Sequence, residues 1–312
     1  MSLRVIQPGF CSWLVDLGRP ASRSLGVPVG GAADRWSLIL GNAMVGNPPN
    51  TLALEITLAG PTLRAEKPVA AVLVGAPFDI EGDIPNPRVG PTFNLQAGDV
   101  LHIRGTRRGV RAYLCVPGGF EAPSSLGSRS AWEPIQANAL LPCRESVLPV
   151  RHFAEPIDSS LPSENPQPLR FLPAAQSSWF NMDQFQTQPF TVTTDSNRMG
   201  LRLRSTPLAR PDREIISEPV CPGTVQVTND GQCIILGVDG QTIGGYPKIA
   251  HVIRADWDLL GQLRPNDTIQ FVQVSWEAAE MARRIQLNRL QTWLTRLSVA
   301  TDCPGILPLT AI

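Results

Sequence analysis

The chain has 312 residues, 43% hydrophobic and 17% charged, with 27 basic side chains balanced by 27 acidic ones. That composition buries a core and excludes a disordered chain, and a zero net charge gives no electrostatic case for nucleic acid or an anionic membrane. The length favours two domains over one, and 30 Pro with 26 Gly favour many turns and short strands over long helices.

The predicted elements follow in order. Residues 3–17 alternate weakly and read as one or two strands. Gly26 to Ala33 is a turn-rich loop, and Asp34 is the expected N-cap of a helix running through Trp36, Leu38, Leu40 and Met44 until Gly46-Asn47-Pro48-Pro49 stops it. Glu55 sits in the apolar run Leu52–Leu58, where it is either a strand residue facing solvent or a buried carboxylate with a partner. Val69–Val74 reads as a buried strand, residues 79–94 as hairpin punctuation, and Val100–Arg104 and Val110–Pro117 as further strands. The stretch 126–168 is Pro-rich and aperiodic, a long connection into a second domain. Trp276–Leu297 has helical spacing, with Met281, Ile285, Leu290, Trp293, Leu294 and Leu297 interleaved with Arg, and is expected to pack on its own domain or to meet a partner.

The second half echoes the first. Leu263-x-x-Asn266-Asp267-x-Ile269 matches Leu95-x-x-Gly98-Asp99-x-Leu101, and Thr224-Val225 before an apolar run matches Thr62-Leu63 before another. Two matches in the same order suggest duplication of one β-rich unit, and the same strand order in both halves is the test of that idea. The six cysteines, at 11, 115, 143, 221, 233 and 303, form no CxxC pair. None stands at zinc-ligand spacing from His102, His152 or His251, so no metal site is expected. The first residues lack the apolar core of a signal peptide, and no run approaches the ~20 apolar residues that span a bilayer. The expectation is a cytoplasmic, reduced protein with neither nucleic acid nor membrane as partner.

Two scarcities mark Gly244-Gly245-Tyr246-Pro247-Lys248. Only Lys67 and Lys248 are lysines, and only Tyr113 and Tyr246 are tyrosines. An ammonium serves as a base or as a compact anion partner, and the Gly pair lets the backbone approach a ligand. Equally, Lys248 could simply end a hairpin with its head in water. Around it the second half is rich in polar groups: Asp195-Ser196-Asn197-Arg198, then Gln226, Asp230 and Gln232, then Asp239, Gln241 and Thr242. A site for a small amide or carboxylate substrate would use Arg198 as a carboxylate clamp, Asn197, Gln226, Gln241, Thr242, Gly244, Gly245 and Tyr246 to read it, and Lys248 and Asp239 for charge and proton transfer. Ordinary turn chemistry explains Asn229-Asp230-Gly231 equally well.

Taken together, several motifs resemble one family. They are Asp16-Leu17-Gly18-Arg19, Gly26-Val27-Pro28-x-x-Gly31-Ala32-x-Asp34, Asn42-x-x-Val45-Gly46-Asn47-Pro48, and Leu54-Glu55-Ile56-Thr57-Leu58-x-Gly60-Pro61-Thr62-Leu63 in the first half. Leu126-Gly127-Ser128-Arg129-Ser130, Asp195 to Gly200, Ser217-Glu218 and Gly244 to Ala250 follow. The resemblance is to the biotin-dependent carboxyltransferase-domain family, which includes the C-type subunit of ATP-dependent 5-oxoprolinase, a kinase-inhibitor antagonist, allophanate hydrolase subunit 2-like proteins and a domain of urea carboxylase. It covers roughly residues 3–275.

The resemblance implies a mainly β fold of two tandem cyclophilin-like β-barrel domains, with a few short helices and a C-terminal helix. The barrels are expected at 1–125 and 169–275, joined by 126–168 and followed by a helix and tail at 276–312. It implies a hydrolase subunit active only in a hetero-oligomer, opening the lactam of 5-oxoproline to glutamate with ATP handled by the assembly. The partners implied are a sister kinase-inhibitor-type (B-type) chain and a third subunit. The alternatives are a regulatory protein that antagonises a kinase-inhibitor-like partner, and carboxyl transfer to urea or a related amide with biotin on another chain. The chain departs from the family pattern at Val15, where Gln is common, at Gly30 for Ser, at Gly240 for Arg, and at Ala131-Trp132-Glu133-Pro134 in place of a Gly-rich loop. These changes leave altered specificity or a non-catalytic paralogue open.

Overall fold

The computed structural model describes residues 2–152, 160–210, 213 and 215–301. The chain forms two compact units. One comprises the residues up to Gly18, Asp34–Leu161 and those from Leu287 onward; the other comprises Arg19–Ala33 and Pro162–Gln286.

The first unit contains β1 (Ser2–Gln7), β2 (Cys11–Val15), α1 (Arg35–Met44), β3 (Ala53–Thr57), β4 (Thr62–Ala65) and β5 (Val69–Gly75). It continues with β6 (Phe78–Gly82), β7 (Thr92–Leu95), β8 (Val100–Thr106), β9 (Arg111–Cys115) and β10 (Leu140–Pro142). These strands make two five-stranded sheets, ordered β10-β1-β4-β8-β6 and β2-β3-β9-β5-β7. Alternating apolar residues of both sheets, among them Leu3, Leu54, Leu63, Leu73, Leu101 and Leu114, meet in one core. Within the Pro-rich connection, β10 pairs with β1.

Asp34 caps α1 as its sequence predicts, accepting from Ser37 N at 3.0 Å and Ser37 Oγ at 2.7 Å. Glu55 is the buried alternative. It is fully enclosed in β3, accepts from Tyr113 Oη at 2.7 Å, and lies 3.4 Å from Arg111 Nε. Tyr113 Oη in turn accepts from Asp34 N at 2.8 Å, and burial pushes its phenol well above the ordinary range. Asp16 is a second buried carboxylate. It collects hydrogen bonds from Ser128 Oγ and Ser130 Oγ (each 2.6 Å), Arg129 N (2.7 Å) and Gly18 N (2.8 Å), which fixes the Leu126–Ser130 turn.

The second unit contains β11 (Gln167–Pro173), α2 (Met182–Thr187), β12 (Phe190–Val192), β13 (Gly200–Arg204), β14 (Glu218–Pro219) and β15 (Thr224–Val227). Then come β16 (Cys233–Leu236), β17 (Ile243–Gly244), β18 (Lys248–Val252), α3 (Trp257–Leu260) and β19 (Thr268–Gln273), followed by the opening residues of α4 (Trp276–Thr301), whose part from Leu287 onward belongs to the first unit. Seven strands close into a barrel in the order β11-β18-β15-β16-β13-β12-β19, while β14 and β17 form a separate two-stranded ribbon. The barrel core is aromatic: Phe185 stacks on Phe271 at 4.4 Å, and Phe171 and Phe190 meet that pair edge-on at 5.1–6.0 Å.

The duplication idea fails its own test of strand order. β4 and β5 lie in different sheets, whereas their sequence counterparts β15 and β16 are paired neighbours. What the halves share is local chemistry. Asp99 accepts from Gln96 N at 2.7 Å as Asp267 does from Arg264 N at 2.9 Å, and Thr62 meets His102 at 3.1 Å as Thr224 meets His251 at 3.2 Å. Turn-and-strand signals recur because the turn needs them, whichever strand comes next.

Helix α4 buries Leu290, Leu294 and Leu297 and leaves Trp276, Met281 and Ile285 exposed. No described helix is long and apolar enough to cross a membrane. Cys115 and Cys233 are buried free thiols, Cys233 pushed by desolvation to about 12. No cluster of potential metal ligands occurs among the described residues.

Candidate functional site on the outer face of β15 and β18

Strand periodicity would place Lys248 on the same side as Ala250 and Val252, inside the barrel. The pairing of β15 with β18 prevents this. Val225 pairs with Ala250 but Gln226 pairs with Lys248, so β18 carries an extra residue at Ile249. Ile249 and Ala250 both enter the aromatic core, and the bulge releases Lys248 from it. The result is an outer face made by Thr224 and Gln226 of β15 with Lys248 and His251 of β18.

Three pieces of chain cover this face. The first is the β14–β17 ribbon, in which Glu218 pairs with Gly244 and Pro219 with Ile243. Its Glu218 accepts a hydrogen bond from Lys248 Nζ, and that ammonium lowers the carboxyl below its ordinary range. The second is Gln176, buried in the loop after β11. Its Oε1 accepts from Lys248 N at 3.1 Å, and its N donates to Lys248 O at 3.2 Å. The third is the Gln241–Tyr246 segment. Gln226, 1% exposed, donates from Nε2 to Tyr246 O at 3.3 Å, and a Cβ on Gly244 would fall 2.6 Å from that Nε2. Gly244 is thus small because its own fold presses it onto Gln226. The neighbouring Gly245 faces Ser217, and Thr242 O accepts from Val220 N at 3.0 Å, which holds the ribbon's base.

His251 completes the face. Its Nδ1 lies 3.2 Å from Thr224 Oγ1, which accepts from Cys221 N at 3.2 Å. Burial lowers its pKa, and the Lys248 charge lowers it further, so the ring is held neutral.

The structure therefore separates the predicted residues. Lys248, Gln226, Gln241, Thr242, Gly244, Gly245 and Tyr246 gather at the ribbon. Arg198 and Asp239 make a separate pair, Arg198 Nε to Asp239 Oδ2 at 2.6 Å and Nη2 to Oδ1 at 3.1 Å, with Arg198 Nη2 also donating to Gly31 O at 2.7 Å. The guanidinium expected to clamp a substrate carboxylate clamps Asp239, and this joins the Gly26–Ala33 loop to the barrel. Asn197 is a turn residue whose Oδ1 accepts from Met199 N at 2.8 Å. Asp230 likewise serves its turn, accepting from Thr228 and Gln232. Sequence reasoning did not assign Glu218, Gln176, Thr224 or His251 to the site. Ser217-Glu218 stands among the family motifs and was the available signal for the first, whereas Gln176 has none.

The outer face of this barrel thus carries one lysine–carboxylate pair among neutral amides. The chain belongs to the carboxyltransferase domain family (subdomains A and B), whose model matches residues 25–273. It is 34% identical over 308 residues to the C-type subunit of 5-oxoprolinase from Escherichia coli, covering 95% of this chain and 98% of that one. The corresponding 5-oxoprolinase subunit of Haemophilus influenzae is 32% identical over 278 residues, covering 86% and 90%. The crystal structure of the Kluyveromyces lactis urea amidolyase superposes with a TM-score of 0.83 at 27% identity, over 94% of this chain and 20% of that much longer one.

Proposed function

We propose that the chain is the C-type subunit of a 5-oxoprolinase-type assembly that opens a lactam carrying a carboxylate. The observation that carries this reading is the composition of the β15–β18 face: one ammonium, Lys248, beside the neutral amides Gln176 and Gln226. 5-Oxoproline offers one carboxylate and one lactam amide, the complementary set. Alignment over most of the length of the C-type 5-oxoprolinase subunits of two bacteria, at 34% and 32% identity, supports the same reading.

In this reading Lys248 holds the ligand's carboxylate, and Gln226 with the Tyr246 backbone orients the lactam. His251, kept neutral, is available to accept a proton as water adds across the C–N bond. A triphosphate draws on several cations or a cradle of backbone N–H groups, and this face offers one ammonium, so in this reading ATP is handled by the assembly, with a sister kinase-inhibitor-type chain and a third subunit.

A second reading, carboxyl transfer, is favoured by the superposition on the urea amidolyase. The ureido ring of biotin is neutral and amide-like, so Gln226 and Gln241 suit it, and carboxybiotin borne on another chain would supply the CO2. Co-purification of the candidate subunits with an assay of ATP-dependent glutamate release from 5-oxoproline tests the first reading. Absence of release, with carboxylation of urea by a carrier preloaded with carboxybiotin, would replace it with the second.

A further inference from the structure

Lys248 and Glu218 are unequal partners. The Lys248 side chain is 10% exposed and that of Glu218 39%. Lys248 opens a barrel strand, with its backbone N–H and C=O both held by Gln176. Glu218 stands on a ribbon of only two residue pairs, two positions after Ile216, which is 89% exposed. Moving the ammonium would unseat a barrel strand. Moving the carboxylate opens a two-pair ribbon and returns an ionised group to water, where it is well solvated. The carboxylate is therefore the partner that can leave. A carboxylate taking its place would inherit its donor, the Lys248 ammonium.

We propose that Glu218 is an exchangeable counter-ion occupying the seat of a ligand carboxylate, and that Lys248 selects ligands bearing a carboxylate. The identity of the natural ligand rests on the 5-oxoprolinase-type reading; the exchange itself rests on the geometry. In the free protein Glu218 keeps a mostly buried ammonium paired. In the bound state the ligand does so and the ribbon is released.

The scarcity of lysine makes the exchange observable, because 15N-lysine labelling gives two side-chain signals, Lys248 and the half-exposed Lys67 as internal control. The full chain, with any subunits that co-purify, is titrated with 5-oxoproline, cyclopentanecarboxylate and 2-pyrrolidone. Both carboxylates should move the Lys248 signal and bind about fivefold more tightly to Glu218→Gln than to wild type, since the competing carboxylate is gone. 2-Pyrrolidone should not distinguish the two proteins, and Lys248→Met should lose the preference for carboxylates. Unchanged or weaker carboxylate binding in both Glu218→Gln and Glu218→Ala, or no response of Lys248 to any probe, overturns the proposal. Turnover of 5-oxoproline by the assembly without this response removes the exchange and leaves the functional reading standing; the response without turnover does the reverse.

Discussion

Lys248 meets Glu218 across thirty residues of sequence because a one-residue bulge in β18 turns the lysine out of the barrel toward the β14–β17 ribbon. The pair joins a rigid element to a minimal one, and the consequences for activity and stability differ accordingly.

Replacing Lys248 by Met should lower kcat/KM for glutamate release by about a hundredfold, the scale of one charge-assisted contact to a substrate anion. Stability should change little, because the Glu218 left behind can turn to water. A Lys248→Arg variant should not restore activity, since a guanidinium spreads its donors over a planar fork instead of presenting a compact point charge. Steady-state kinetics with thermal melts on the same samples separate the two effects.

Stability should depend on pH through His251. Its pKa is lowered in the fold, by burial first and by Lys248 second, from an ordinary value of 6.5. Below 6.5 the unfolded chain takes up the proton more readily than the folded one, so this contribution is full above 6.5. It declines as the pH falls toward the folded value. Urea midpoints between pH 5 and 8 should show that decline, and His251→Gln should flatten it. Glu218 acts in a lower window: its lowered pKa favours the fold above 4.5, and that benefit is lost as the pH falls through the folded value.

Gly244→Ala places a Cβ 2.6 Å from Gln226 Nε2. Gln226 is fully buried and bonded to Tyr246 O, so it has little room to move. A cost of about 1–3 kcal/mol is expected from such overpacking, with the ribbon displaced from the face. Chemical denaturation measures the first; faster exchange of the ribbon amides at Val220 and Gly244 reports the second.

Tyr113→Phe in the first unit removes a hydroxyl that donates to Glu55 and accepts from Asp34 N. All three groups lie out of water, so the loss should cost about 1–3 kcal/mol. Carboxylate binding at Lys248 should be unchanged in this variant. Chemical denaturation of the variant beside the wild type measures the cost.

Much of the fold was legible because its signals are local. Asp34 before an apolar-periodic run ended by Gly46-Asn47-Pro48 dictates a capped helix wherever the chain is placed, and α1 runs from Arg35 to Met44. The charge-free run from Val69 dictates a buried strand for the same reason. The polar site was legible only in part. Gln226, Gly244, Tyr246 and Lys248 were singled out by type and scarcity, and the structure does gather them. Arg198 and Asp239 carry the same kinds of group but are consumed by each other, and no spacing in the sequence distinguishes a clamp for a ligand from a clamp for a neighbour.

By itself the sequence determined the β-rich class, the elements with strong punctuation and, through its motifs, the family. Only the tertiary structure decided that Glu55 is enclosed rather than solvated, that β15 and β16 are neighbours where β4 and β5 are not, and that Gln176 and Glu218 hold Lys248. The physical reason is one of range. Caps, turns and periodicity act within a few residues, whereas the partner of a buried charge is chosen by strand pairing and register, which depend on the whole barrel closing.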